Sequence, residues 1–183
     1  MKRTLILTKA CLLAAVLLPA CNDNSTNTET ASVASMAQAN KPETAQKTGD
    51  LGKTPWALNI EKATINNTNY RDTKWTGDHL QMVLMSLKPG EEIDLEVHPN
   101  VDQFIRIEQG EAQVRMGKAE NELTFDQKVS DDWAVLIPAG YYHHIKNTGK
   151  EELKLYSIYT PAEHPSGTRH KTYKEAQEYG HNH

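Results

Sequence analysis

Pro89-Gly90-Glu91-Glu92-Ile93-Asp94-Leu95-Glu96-Val97-His98-Pro99-Asn100-Val101-Asp102-Gln103 is one half of the stretch that decides the fold, and Ile137-Pro138-Ala139-Gly140-Tyr141-Tyr142-His143-His144-Ile145-Lys146-Asn147 is the other. In the first half Ile93, Leu95 and Val97 alternate with Asp94, Glu96 and His98, the period-2 pattern of a strand. Residues two apart on a strand share a face, so Glu96 and His98 point together while Leu95 and Val97 point away. The turn at Pro99-Asn100 brings Gln103 back beside them. In the second half Pro138-Ala139-Gly140 turns the chain into a strand that presents His143 from elsewhere in the sheet. Closing a barrel around these strands converges imidazole nitrogens and a carboxylate on one point. That donor set suits a divalent transition metal: Mn, Fe, Co, Ni or Zn.

Outward from this stretch the chain punctuates itself like an all-β protein. Residues 79–87 are an apolar strand halted by Lys88-Pro89-Gly90. Residues 103–108 run to Gln109-Gly110, residues 112–116 follow to Gly117, and residues 118–127 read as a surface excursion. Residues 133–137, 141–146 and 153–160 complete the series. About eight short strands at 8–12-residue spacing predict a single-domain jelly roll or closed β-barrel. Residues 51–75 read as a lead-in, with Pro55-Trp56 on the outside and residues 59–68 short and irregular or helical. Residues 172–179 are the late helix, with Thr172 as N-cap and Glu175 in the capping-box position.

Gly90-x5-Glu96-x-His98-x4-Gln103-x6-Gly110 resembles the first cupin motif, G-x5-H-x-H-x(3,4)-E-x6-G. Pro138-x-Gly140-x2-His143-x3-Asn147 resembles the second, G-x5-P-x-G-x2-H-x3-N. The resemblance implies a small single-domain cupin of the second type, a group often described as mannose-6-phosphate isomerase-like. It also implies a metal held by the residues at the four motif positions, here Glu96, His98, Gln103 and His143. Glu96 replaces the usual first His and Gln103 the usual Glu. A Gln carbonyl is neutral and a weaker donor, whereas Glu96, His98 and His143 alone make a two-His, one-carboxylate set. Asp102 is the rival for the fourth place, although the strand phase turns it away from the pocket. A pocket without metal, binding a small molecule through hydrogen bonds, is the alternative. Nothing in the sequence resembles a dedicated phosphate site.

Other candidates have plainer expectations. His144 faces away from His143, and His79 lies solvated at a strand start. Tyr141 shares the inward face with His143. Arg106 and Glu108 form an exterior ion pair. His164 and His170 frame the Pro- and Gly-containing residues 161–170, read as an arm packed on the barrel wall rather than a flap over its mouth. His181 and His183 close the chain.

The N-terminus carries an address. Lys2-Arg3 precedes an apolar run over residues 5–18, shorter than the ~20 residues of a membrane span, and describes an export signal. Leu18-Pro19-Ala20-Cys21 resembles the bacterial lipobox, which implies acylation of Cys21 and a mature protein beginning there. The other reading is an ordinary secretory signal with a chance cysteine. Asn22 after the cysteine implies the outer membrane, facing the periplasm. Residues 22–50 are polar and aperiodic, a flexible linker between the signal of residues 1–21 and a barrel domain over residues 51–183 (core 75–161). With Cys11 in the signal and Cys21 lipidated, no disulfide is available, so the core alone holds the domain. The net charge of −4 over 183 residues comes with no basic stripe, which argues against a nucleic-acid partner. A small-molecule ligand or substrate, a membrane contact through the lipid and a homodimer are the expected associations. Whether the barrel is an oxygenase- or isomerase-type enzyme or a binding module is left open by the residues.

Overall fold

Ten strands in two facing sheets organise the computed structural model, which describes residues 49–180. The strands are β1 (Arg71–Thr76), β2 (Gln81–Leu87), β3 (Glu92–Val97), β4 (Asp102–Gln109), β5 (Glu111–Gly117), β6 (Phe125–Ser130), β7 (Ala134–Ile137), β8 (Tyr142–Asn147), β9 (Leu153–Thr160) and β10 (Arg169–His170). A short helix α1 (Ile60–Ile65) precedes them and α2 (Tyr173–Gly180) follows. One sheet has the order β10-β1-β2-β9-β4-β7 and the other β3-β8-β5-β6, with every pairing antiparallel. This is an all-β jelly roll with a short C-terminal helix, as the spacing of the strands predicts.

Alternation along each strand builds the core. Val83, Met85 and Leu87 of β2 face inward with Leu153 and Leu155 of β9 and Ile105 and Ile107 of β4. Val114 and Ile145 meet them from the smaller sheet. Each such side chain removed from water contributes about 1.5–3 kcal/mol. No disulfide is available to the barrel, so this packing carries the fold.

The structure adds to the predicted elements at three places. The lead-in contains β1, whose Arg-Asp-Thr-Lys-Trp-Thr sequence lacks apolar alternation. Its outward residues Asp72 and Lys74 are nevertheless buried, because Lys74 Nζ lies 3.3 Å and Arg169 Nε 2.9 Å from the Asp72 carboxylate. The predicted excursion over 118–127 ends inside a strand: β6 pairs with β5 from Met116↔Phe125 onward. It is an edge strand whose first four residues are exposed, so its sequence carries no apolar period. The third addition is β10, a two-residue strand that pairs the C-terminal arm with β1. Within β3 a bulge between Ile93 and Glu96 breaks the simple alternation, so that Ile93 pairs with Ile145 and Glu96 with His143. Ile93 and Glu96 therefore both face inward, while Leu95 is exposed.

The local signals read from the sequence take recognisable form. Asn59 caps α1, accepting from Lys62 N at 2.9 Å. Thr172 Oγ1 accepts from Glu175 N at 3.2 Å, and Glu175 reaches back to Lys171 N at 2.6 Å, a capping box shifted by one residue. Gly110 has φ +91°, and a Cβ there would lie 3.0 Å from the Glu152 carbonyl oxygen. Asn147 is buried and binds the Leu87 and Glu151 carbonyls, each at 2.9 Å, so the motif asparagine ties strand ends together. The signal of residues 1–21, Cys21, linker residues 22–48 and the terminal His181 and His183 lie outside the described residues.

Candidate metal centre

Glu96 and His143 are direct cross-strand partners on β3 and β8, which sets their side chains against each other inside the barrel. His98 stands one residue beyond the end of β3. Its carbonyl accepts from Gly140 N at 2.8 Å, and this bond fastens the end of one strand to the turn that starts the other. Gly140 has φ +78°, the left-handed conformation that the Pro138-Ala139-Gly140 turn requires. The His98 and His143 rings lie 5.2 Å apart.

The ligating atoms converge. Nε2 of His98 and Nε2 of His143 each lie 3.3 Å from the same oxygen, Glu96 Oε1. The three side chains form one group of possible metal ligands whose ligand atoms all lie within 4.8 Å of one another. Donors about 2.1 Å from one ion are separated by about 3.0 Å in octahedral and about 3.4 Å in tetrahedral arrangement, so 3.3 Å fits.

The far side of each imidazole decides what the near side offers. His143 Nδ1 lies 3.1 Å from the Tyr141 carbonyl oxygen, which can only accept, so Nδ1 carries the hydrogen. His98 Nδ1 lies 3.1 Å from Glu163 Oε1, again an acceptor. Both neutral rings then turn lone pairs toward the Glu96 carboxylate. His98 Nε2 is buried and closes no hydrogen bond, although it lies 3.3 Å from Glu96 Oε1. Three acceptors held this close repel unless a cation lies among them, either a metal ion or an added proton on an imidazole. Outer partners of this type are what hold a ligating histidine in its metal-binding tautomer.

The charges respond accordingly. Burial would raise the Glu96 carboxyl, but His143 and His98 hold it well below the usual carboxylate range. Burial pulls His98 down, yet the Glu96 and Glu163 carboxylates prevail and raise it above 6.5. Tyr159, fully buried with its ring edge-on to His98 at 5.8 Å, is pushed far up by burial. His164 packs on the same tyrosine at 5.1 Å and is held at about 3 by burial and the Arg71 charge.

The other expected site residues separate clearly. Gln103 is buried on β4 in the facing sheet, its Nε2 donating to Ser157 Oγ at 2.9 Å and its Oε1 left without a partner. Asp102 is exposed and accepts from Ala139 N at 2.8 Å, so it braces the Pro138-Ala139-Gly140 turn from outside. Tyr141 packs against the core and lends the site its backbone carbonyl. His144 turns outward to Glu92 at 3.1 Å, and His79 is exposed. Arg106 pairs with Glu108 at 3.1 Å, although the Glu108 end is buried.

Glu163 is a residue of the site that no motif marks. It lies in an arm held down by Gln81, whose amide bonds the His164 backbone at 2.7 and 2.9 Å. The arm is packed on the wall, as expected of a terminal segment, and also inserts a carboxylate behind His98. No periodicity marks such a residue; its signal was proximity to His164 alone.

Residues 83–159 match the family described as cupin domain. The chain is 53% identical over 127 residues to YrkC of Bacillus subtilis, an uncharacterized protein, covering 69% of this chain and 68% of that one. It is 42% identical over 113 residues to the uncharacterized L612 of Acanthamoeba polyphaga mimivirus, covering 61% and 69%. The crystal structure of BH2720 from Bacillus halodurans is similar at 50% identity and TM-score 0.71, covering 72% of this chain and 99% of that chain. The chain belongs to the cupin family.

Proposed function

We propose that this cupin holds a divalent transition metal through Glu96, His98 and His143 and uses it to engage a small organic molecule. The observation that carries this is the convergence of both Nε2 atoms on Glu96 Oε1 at 3.3 Å, with each Nδ1 satisfied elsewhere. Bound there, the metal would supply Lewis acidity at positions open to a ligand. Gln103 is offered as a supporting group through its free carbonyl oxygen, either to the metal or to the ligand. The Tyr141 carbonyl and Glu163 keep both imidazoles in the ligating tautomer.

Oxygenase- or isomerase-type chemistry belongs to this first reading; a non-catalytic module binding a sugar or organic acid is the second, favoured by Gln103, a neutral side chain where the motif has a Glu.

We further propose that the barrel is an exported lipoprotein. Leu18-Pro19-Ala20-Cys21 supports acylation of Cys21, residues 22–50 support a tether, and Asn22 supports the periplasmic face of the outer membrane. Among the described residues, no helix is long and apolar enough to cross a membrane. Labelling with a fatty-acid analogue that persists in Cys21→Ser would contradict lipidation. A homodimer is the assembly expected for the barrel.

Metal content tests the central reading. The full chain carrying His181→Ala and His183→Ala, which removes adventitious sites, should carry about one equivalent after gentle purification or on titration. His98→Ala and His143→Ala should lose it.

A further inference from the structure

Arg71 points into the barrel. It pairs with Met85 on β2, and Met85 with Leu155 on β9, both fully buried in the core. Paired residues of neighbouring strands project to the same side of a sheet. A guanidinium turned inward needs acceptors, since burying an unpaired charge is costly. Among the described residues Arg71 has no ion pair, and its Nε is buried without a hydrogen-bond partner. Its contact is with the Tyr70 ring, 5.8 Å from Cζ to centroid, which occupies a face of the guanidinium and leaves the N–H edge free.

The orphaned atom has company on the same inner face. Thr73 Oγ1, Gln103 Oε1, His164 Nε2 and His170 Nδ1 are also buried without partners, as is His98 Nε2 of the triad. Thr73 pairs with core Val83, Gln103 with fully buried Tyr159, and His170 with Arg71 itself. Native folds leave few such groups, and here Arg71, Thr73, Gln103 and His170 share the inward side of the larger sheet, while Tyr159 carries both the His98 ring, at 5.8 Å, and the His164 ring, at 5.1 Å. At His164, burial first and the Arg71 charge second keep the imidazole neutral, which sets the guanidinium within Coulombic reach of the pocket. A divalent ion on Glu96 leaves surplus positive charge, and Arg71 adds to it.

We propose that Arg71 determines the specificity of this pocket and that its ligand is a small carboxylate whose two oxygens take the guanidinium fork. The inference rests on the reading of Glu96, His98 and His143 as a metal centre. A planar fork matches a carboxylate in two parallel hydrogen bonds, and Lys presents only a point charge. The ligand would lie between the metal centre and Arg71, supplying the missing partner.

The test uses the full chain with His181→Ala and His183→Ala, loaded with Mn, and titrated calorimetrically with malonate, succinate, glutarate, neutral succinamide and inorganic phosphate. At least one dicarboxylate is expected to bind tenfold or more tightly than succinamide. Arg71→Met should erase that preference, and Arg71→Lys should restore part of it, which separates lost charge from lost fold. Equal binding of acid and amide, undiminished carboxylate affinity in Arg71→Met, or phosphate bound more tightly than every dicarboxylate would overturn the proposal. Metal content measured on the same samples separates the two claims. A metal-loaded pocket indifferent to Arg71 sinks only this inference, and a wild type that takes no metal sinks both.

Discussion

Glu163 stands behind His98: its Oε1 lies 3.1 Å from the imidazole Nδ1, on the face opposite the one turned to Glu96. A carboxylate there fixes the tautomer, raises the basicity of the ring and orients it. Glu163→Gln keeps a hydrogen-bond acceptor but loses the charge, and Glu163→Ala loses both. Metal affinity is expected to fall about 10-fold for Gln and up to about 100-fold for Ala, with melting of the metal-free protein little changed. Competition with a chromophoric chelator measures this. Wild-type affinity in Glu163→Ala would show the contact to be incidental.

His164 gives the fold a pH dependence of definite sign. Its imidazole is held at about 3 when folded and returns to 6.5 when unfolded. The unfolded chain therefore binds the extra proton first as pH falls. Stability contributed by the neutral ring is complete above pH 6.5 and is lost progressively down to about pH 3. The loss is on the order of 3 kcal/mol, taking ~1.4 kcal/mol per unit and discounting for partial exposure. Urea unfolding at several pH values should show this slope in wild type and a flatter one in His164→Phe. Parallel slopes would contradict the assignment.

Gly110 turns β4 into β5 at φ +91°, with the Glu152 carbonyl 3.0 Å from where a Cβ would sit. Gly110→Ala combines a left-handed backbone strain with a close contact and is expected to cost about 1–3 kcal/mol. For a domain of this size that lowers the melting temperature by about 2–4 °C per kcal/mol. Gly140→Ala has the strain at φ +78° without the contact, since nothing lies within 4 Å of its Cβ position, and should cost less. The difference between the two melting temperatures reads the contact alone.

The sequence made the fold legible wherever burial followed a simple period. Strands β2, β4, β5, β8 and β9 alternate or run apolar because at least one face is core. Strand β1 was hidden because its buried outward face is made of Asp72 and Lys74, which neutralise each other; β6 was hidden because its edge position leaves it exposed. The bulge in β3 was invisible for a different reason. It changes the face of Ile93 relative to Glu96 without altering residue types, and only the pairing with β8 reveals it. In the site, Glu96, His98 and His143 could be read because two-residue strand spacing and a turn place them. Glu163 and Arg71 could not, because they arrive from an arm and from a strand with no apolar pattern.

Anomalous diffraction from crystals of the metal-loaded protein shows whether Glu96, His98 and His143 hold one ion between them. A single strong peak is expected within about 2.0–2.2 Å of Glu96 Oε1, His98 Nε2 and His143 Nε2, absent from His143→Ala. A metal-soaked crystal with no anomalous signal there, and the two imidazoles still paired with Glu96 at 3.3 Å, would contradict it.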